Sequence, residues 1–234
     1  MNRIPLSLAL IAAASILTPD AARAQVGHPP DRSPYEDIEA GQNLTLSGGW
    51  LFMRRDPADV APKSSPFGTL RYDIAIGGPA SFYARYTFAP SERRLLAPGN
   101  PVATRVVSTP SVKTSAFDLG IDLSLTGKKT WRKLAPAVSA GVGVVSDFTK
   151  ADSGAYRFGT KFAFSYGLGV RYIPRPGGIS FRVDLTNYTW QYQYPDRYFV
   201  RASDSTSVLT DTRSRSAYRA NWGLSGGVTV PLFR

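Results

Sequence analysis

From residue 43 to residue 233 apolar and polar positions alternate with a period of two, broken at intervals by clusters of Gly, Pro and Ser. That period belongs to β-strands, whose successive side chains point to opposite faces. Residues 113–125 place Phe117, Leu119, Ile121, Leu123 and Leu125 on one face, and Asp118, Gly120, Asp122 and Ser124 on the other. Residues 161–173 place Phe162, Phe164, Tyr166, Leu168, Val170 and Tyr172 opposite Ala163, Ser165, Gly167, Gly169 and Arg171. The pattern predicts strands at 43–54, 67–76, 80–88, 113–125, 135–148, 161–173, 179–194 and 218–233. No convincing amphipathic helix interrupts them. Residues 25–42 read as a polar, Pro-rich tail with one helical turn after Ser33, which can cap a helix that has Pro34 at its first position.

The links between these strands alternate in length. Gly77-Gly78-Pro79 and the run Pro174-Arg-Pro-Gly-Gly178 are tight, and residues 126–134 are intermediate. Residues 54–66, 89–112, 149–160 and 195–217 are long, and the last could hide an extra hairpin. Alternating links through an even number of antiparallel strands put every long loop at one end and both termini at the other. The expected fold is therefore all-β: a closed, antiparallel, up-and-down barrel of about eight strands.

Alternation cannot say which face points outward, but residue types can. The polar faces are built of Gly, Ser, Ala, Arg and Asp, whereas a water-facing sheet normally carries Lys and Glu. The only glutamates are Glu36, Glu39 and Glu92, and none lies in a predicted strand. Strand interiors instead carry Arg71, Arg85, Arg171 and Arg182 with Asp73, Asp118, Asp122 and Asp184. Such charges inside a narrow barrel must pair, and the planar fork of Arg suits a short Asp. The apolar face would then meet lipid: a transmembrane barrel. Outward aromatics gather toward strand ends (Trp50, Phe52, Phe82, Tyr86, Phe88, Phe162, Phe164, Tyr172, Phe181 and Trp222), as interfacial girdles do. The alternative is a soluble periplasmic barrel of lipocalin-like type, with the apolar face lining a ligand cavity. Residues 179–194 break the pattern, because Tyr188, Trp190, Tyr192 and Tyr194 share the face of Arg182 and Asp184. A bulge could swap the faces there. The reading preferred is an aromatic-rich extension above the lipid.

Composition narrows the class. Mean hydropathy is −0.16, and no apolar run long enough for a membrane helix exists beyond the N-terminus. Arg3, the apolar run 4–17 and Ala22-Arg23-Ala24 read as a secretory signal over residues 1–24. Residues 25–42 follow as the periplasmic tail, and residues 43–234 as the barrel. Removing the signal takes the formal net charge from +11 to +10. Cysteine is absent, which excludes disulfides, thiolate metal sites and cysteine nucleophiles.

The signal, the eight alternating segments, the alternating links and a chain that ends inside its last strand resemble the small OmpA/OmpX-type outer-membrane barrels, as a barrel only. The resemblance covers about residues 43–233. It implies an outer-membrane location in a Gram-negative cell envelope, monomeric behaviour and recognition of the C-terminal strand by the barrel-assembly machinery. In that strand Phe233 is penultimate and Pro231 interrupts the alternation.

Catalytic chemistry finds little support. Among the small outer-membrane barrels that this chain resembles, the lipid A-modifying enzymes, phospholipases and proteases use a histidine in or near the active site, and the single one here, His28, lies in the tail. Asp118 and Asp122 stand about 13 Å apart along one strand face, too far for a carboxylate dyad. No metal-ligand cluster, phosphate loop or dinucleotide fingerprint occurs. We therefore expect no catalytic residue, no metal, no cofactor and no nucleic-acid partner. The barrel charges cancel, so the positive excess falls in the long loops. Arg54, Arg55, Arg93, Arg94, Arg197, Arg201, Arg213 and Arg215 are the candidate contacts to lipopolysaccharide. The expected function is a structural or interaction role in the outer membrane. A narrow, porin-like channel for small solutes is the alternative.

Overall fold

The computed structural model describes residues 33–39, 41–148 and 155–233. The predicted signal segment, its cleavage site and His28 lie outside them. Eight long strands form the described barrel. They are β1 (Gln42–Phe52), β2 (Ser65–Gly77), β3 (Ala80–Glu92), β4 (Ser111–Ser124), β5 (Leu134–Ser146), β6 (Thr160–Tyr172), β7 (Ser180–Gln193) and β8 (Ser216–Phe233). Each pairs antiparallel with its sequence neighbours, and β8 returns to β1 from Trp222↔Phe52 to Phe233↔Gln42. The sheet is thus closed and has no free edge. Its one late irregularity falls between Pro231 and Phe233, where proline has no N–H to give to the ladder. Across the closing seam the Thr45 and Thr229 hydroxyls meet at 2.8 Å.

The links alternate as the sequence predicts. At the short-turn end, Gly77 (φ 134°) and Gly78 (φ 56°) reverse the chain between β2 and β3 in conformations that side-chain-bearing residues rarely adopt. Residues 53–64, 93–110 and 194–215 form long loops at the other end. The loop at 93–110 carries a small two-stranded ladder, Leu95–Leu96 with Val106–Ser108. The loop at 194–215 contains a 3-10 turn, Asp196–Tyr198, and no hairpin.

The segment after Ser33 departs from expectation. Instead of a helical turn, Tyr35–Asp37 forms a short strand paired with Lys129–Trp131 in the β4–β5 turn. The Ile38 amide donates to the Lys128 carbonyl at 2.9 Å, and the Gly41 amide to the Phe233 carbonyl at 3.2 Å. This strap runs from the β4–β5 turn to β1, which lie on opposite sides of an eight-membered ring. It therefore crosses the short-turn mouth. Three backbone pairs outweigh a marginal N-cap, because one isolated helical turn fixes several residues for a single hydrogen bond.

Candidate functional site: a filled lumen beneath a basic loop end

The outer surface of the barrel is apolar. Leu119, Ile121 and Phe164 are 38%, 48% and 46% exposed, while Asp118 is 3% exposed. All ten aromatics expected on the outer face point outward, from Trp50 and Phe52 on β1 to Trp222 on β8. Leu70, Leu168, Val183 and Leu224 continue the band between them. Soluble monomers rarely expose contiguous apolar patches beyond a few hundred Å², and this band passes around the whole barrel. Hydrocarbon is the solvent that such a surface fits, and a closed barrel is a structure that can cross it with every backbone group paired. Strands of 11 to 18 residues meet or exceed the ~9–11 needed to span a bilayer.

The interior is polar and filled. Toward the short-turn end, Asp122 Oδ1 accepts Arg71 Nη2 at 2.7 Å and Arg182 Nη2 at 2.9 Å. Arg71 also binds Asp73 through Nε and Nη2, at 2.9 and 2.7 Å, and Arg182 Nε binds Asp184 at 2.9 Å. At mid-barrel Asp118 takes Arg85 Nε at 3.0 Å on Oδ1, with Arg85 Nη2 at 2.7 Å and the Ser165 hydroxyl at 2.8 Å on Oδ2. Arg85 Nη1 donates to Thr186 at 3.1 Å. Between the two clusters lies Tyr83, with the Arg71 guanidinium 4.2 Å and that of Arg85 5.3 Å from its ring centroid. Its hydroxyl fits because β4 and β5 carry Gly120 and Gly141 there. A Cβ on either would stand 2.6 or 2.4 Å from that oxygen. Seven of the eight interior charges expected from sequence thus join ion pairs. Arg171 is the exception. It is half-buried at the short-turn mouth, with no carboxylate in ion-pair reach among the described residues. There it lines a vestibule of about 430 Å³, together with Asn43, Asp73, Arg182 and strap residues Ile38 and Glu39.

The aromatic end of β7 does not project freely. The β7–β8 register is continuous from Ser180↔Thr229 to Gln193↔Ser216, so no bulge swaps the faces. Tyr188, Trp190, Tyr192 and Tyr194 point inward and are buried. Loop residues Val60, Tyr156, Phe158, Tyr198 and Leu209 pack down on them as an apolar cap. Phe158 meets Trp190 edge-on with centroids 6.3 Å apart. Asp56 anchors the cap by accepting the amides of Ala58, Val60 and Ala61 and the Tyr194 hydroxyl. Burial beside this carboxylate pushes the Tyr156 and Tyr194 hydroxyls well above the ordinary tyrosine range. Sequence periodicity stops at the strand ends, so it could not reveal the loop residues that complete this core.

The loop arginines divide. Arg54, Arg55, Arg197, Arg201, Arg213 and Arg215 are exposed, and Arg94 is partly so. Arg93 is a correction to the expected contact set. It is 1% exposed and faces Asp147 with Nε 3.4 Å from Oδ2, because β3 runs on to Glu92 and turns the next side chain inward. Arg55 and Arg94 both bind Asp59, and Arg215 binds Asp196 at 2.7 Å. The loops at 93–110 and 194–215 are joined through Asp204, which accepts the Val102 amide at 2.8 Å and the Thr206 hydroxyl at 2.6 Å. The Thr206 hydrogen bond, followed by the Val102 amide, lowers the Asp204 carboxyl to about 2. Among the described residues no group of three or more His, Asp or Glu is placed to hold a metal ion.

No family model matches the chain, and no curated relative matches it by sequence. Solved structures similar to it include Neisserial surface protein A, at 11% identity with a TM-score of 0.49, covering 82% of this chain and 98% of that one. The outer membrane protein OprG of Pseudomonas aeruginosa aligns at 11% identity and a TM-score of 0.46, covering 84% and 99%. Ail of Yersinia pestis, solved in complex with the heparin analogue sucrose octasulfate, aligns at 15% identity and 0.35, covering 80% and 98%. These superpositions fall below a TM-score of 0.5, so the membrane assignment rests on the chain's own outer face.

Proposed function

We propose that this chain is a non-enzymatic outer-membrane protein: the barrel anchors it, and the basic loop end contacts lipopolysaccharide or external partners. The observation that carries this reading is the pairing of an unbroken apolar outer face with a filled, charge-neutralised lumen. The first needs acyl chains around it, and the second leaves the loops as the working surface. In the outer membrane the short turns face the periplasm and the loops face outward. Exposed arginines there would sit among anionic head groups, which they attract by charge and by bidentate hydrogen bonding. Phe233, outward-facing on the closing strand, is the residue we assign to recognition by the assembly machinery. A steady solute channel fits less well, because the Arg71–Asp122–Arg182 cluster, Tyr83 and the Arg85–Asp118 pair occupy successive levels of the lumen.

Cell fractionation combined with gel migration before and after heating tests the proposal. The protein should stay with the outer membrane and migrate faster unheated than boiled. Release with the periplasmic extract would refute the membrane assignment. Steady single-channel currents in planar bilayers would refute the plugged lumen.

A further inference from the structure

One cleft at the loop end differs from the rest of that surface. It lies between the loops at 53–64 and 194–215, encloses about 480 Å³, and has Arg54, Arg55, Arg213 and Arg219 in its wall. Its one carboxylate, Asp56, is already committed to three backbone amides and the Tyr194 hydroxyl. Arg55 is held by Asp59 at 2.9 Å. Arg54, Arg213 and Arg219 have no carboxylate within ion-pair reach among the described residues. Arg219 is the most informative of them. It stands on β8 directly across from Trp190, and its Nε is buried with no hydrogen-bond partner among the described residues. A buried donor left unpaired is costly, and a cationic one more so, which makes it a position completed by an acceptor from outside.

We infer that this cleft binds a phosphate monoester group, and thereby deepens the loop-end role proposed above, on which the lipid form of the inference rests. Three unpaired guanidiniums exceed what one carboxylate can neutralise. A phosphate monoester carries about −1.5 to −2 charge and three acceptor oxygens, which planar arginine forks engage in pairs. The height of the cleft favours a lipid headgroup as the source. Arg54 follows Phe52 by two residues, Phe52 pairs with Trp222, and both rings face outward at the upper edge of the apolar band. Arg219 precedes Trp222 by three residues on β8, about 10 Å nearer the loop end and on the inward face it shares with Trp190.

The full chain, folded in detergent, would be titrated with inorganic phosphate and with bicelles containing bisphosphorylated lipid A or its dephosphorylated form. Phosphorus NMR and calorimetry follow binding. Saturable binding of the phosphorylated lipid is expected, weakened about tenfold or more by Arg213→Gln and by Arg219→Lys, which keeps the charge but removes the fork. The double variant Arg197→Gln/Arg201→Gln, in the wider loop-end contact set but outside the cleft, should lose less than the cleft variants, and Arg175→Gln, in a short turn at the opposite end, should bind normally. If inorganic phosphate alone binds and the cleft variants abolish it, the phosphate site stands with a soluble source. Equal binding of dephosphorylated lipid A, or binding untouched by the cleft variants, would overturn the inference. Binding lost only in Arg197→Gln/Arg201→Gln would move contact to the outer loops, refuting the cleft and sparing the wider reading. No binding of any probe would refute the cleft and the lipopolysaccharide contact, leaving external partners as the loop-end role. Unheated gel migration checks each fold, and Arg213→Gln, on an exposed loop, keeps the test open should Arg219→Lys not fold.

Discussion

Replacing Asp118 by Thr, a side chain of nearly the same volume, should leave the Arg85 guanidinium charged and unpaired inside the barrel. Asp118 supplies two acceptors to Arg85, at 3.0 and 2.7 Å, in a pair whose side chains are each 4% exposed. What would remain for Arg85 is one hydroxyl, Thr186, and the faces of Tyr83 and Tyr188 at 5.3 and 5.0 Å. Breaking a buried ion pair from one side costs about 3–5 kcal/mol, because one charge stays desolvated without compensation. Removing both charges together is often close to neutral, since the desolvation of each disappears along with their attraction. Arg85→Met/Asp118→Thr should therefore recover to within about 1 kcal/mol of the native chain, although it lacks the contact. Urea unfolding from lipid vesicles, followed by tryptophan fluorescence with the urea slope checked for constancy, gives the three free energies. A single-variant loss below about 1 kcal/mol, the value of an exposed pair, would refute the packed lumen. A double variant as unstable as the single would refute the argument that the unpaired charge sets the cost.

Three further outcomes follow from other parts of the barrel. Leu168→Arg, on the outer face halfway along β6, should lower vesicle-folded stability by roughly 2–4 kcal/mol. A change within about 0.5 kcal/mol, usual for a water-exposed position, would contradict immersion in lipid. Gly141→Ala should destabilise by about 1–3 kcal/mol or block folding in the same urea assay. Tyr83→Phe should not rescue it, because the Leu119 carbonyl oxygen also lies 2.6 Å from the added Cβ. Asp204 is held low in the folded chain, so its cross-link is at full strength above the ordinary carboxylate range and weakens as pH falls toward about 2. Amide exchange at Val102, corrected for its intrinsic pH dependence, should be steady from neutral pH to about 5 and accelerate below about 4; acceleration already near neutrality would discount that link.

The strands were legible because a sheet with lipid on one side and a packed lumen on the other imposes its period on every residue. Phe117 to Ser124 shows this in eight successive positions, exposed and covered in turn. Arg71, Asp73, Arg85, Asp118, Asp122, Arg182 and Asp184 follow the same period to the interior, whereas Arg171 stands at the mouth with no carboxylate in ion-pair reach among the described residues. Tyr188, Trp190, Tyr192 and Tyr194 lie on the face that the period gives them, and loops cover them there. Their partners, Val60, Tyr156 and Leu209, lie in loops, where no period marks burial. Arg93 looked like a loop cation because nothing local reveals Asp147, which lies more than fifty residues away in sequence. The strap is not legible in the sequence because three residues are too few to display alternation. The cleft at Arg219 was equally hidden, since a strand-end arginine shows neither its neighbours nor its orphaned donor.

The seam where Thr45 meets Thr229 has a kinetic meaning. It joins residues 184 positions apart, so its hydrogen bonds form only after nearly the whole chain has been ordered. Contacts so distant in sequence carry the largest loop-closure entropy and form slowly. Until β8 finds β1, both strands offer open edges, and the chain can join or add to other sheets. Closure is then a commitment step: beforehand the molecule is vulnerable to aggregation, and afterwards it opens only by breaking an entire ladder at once.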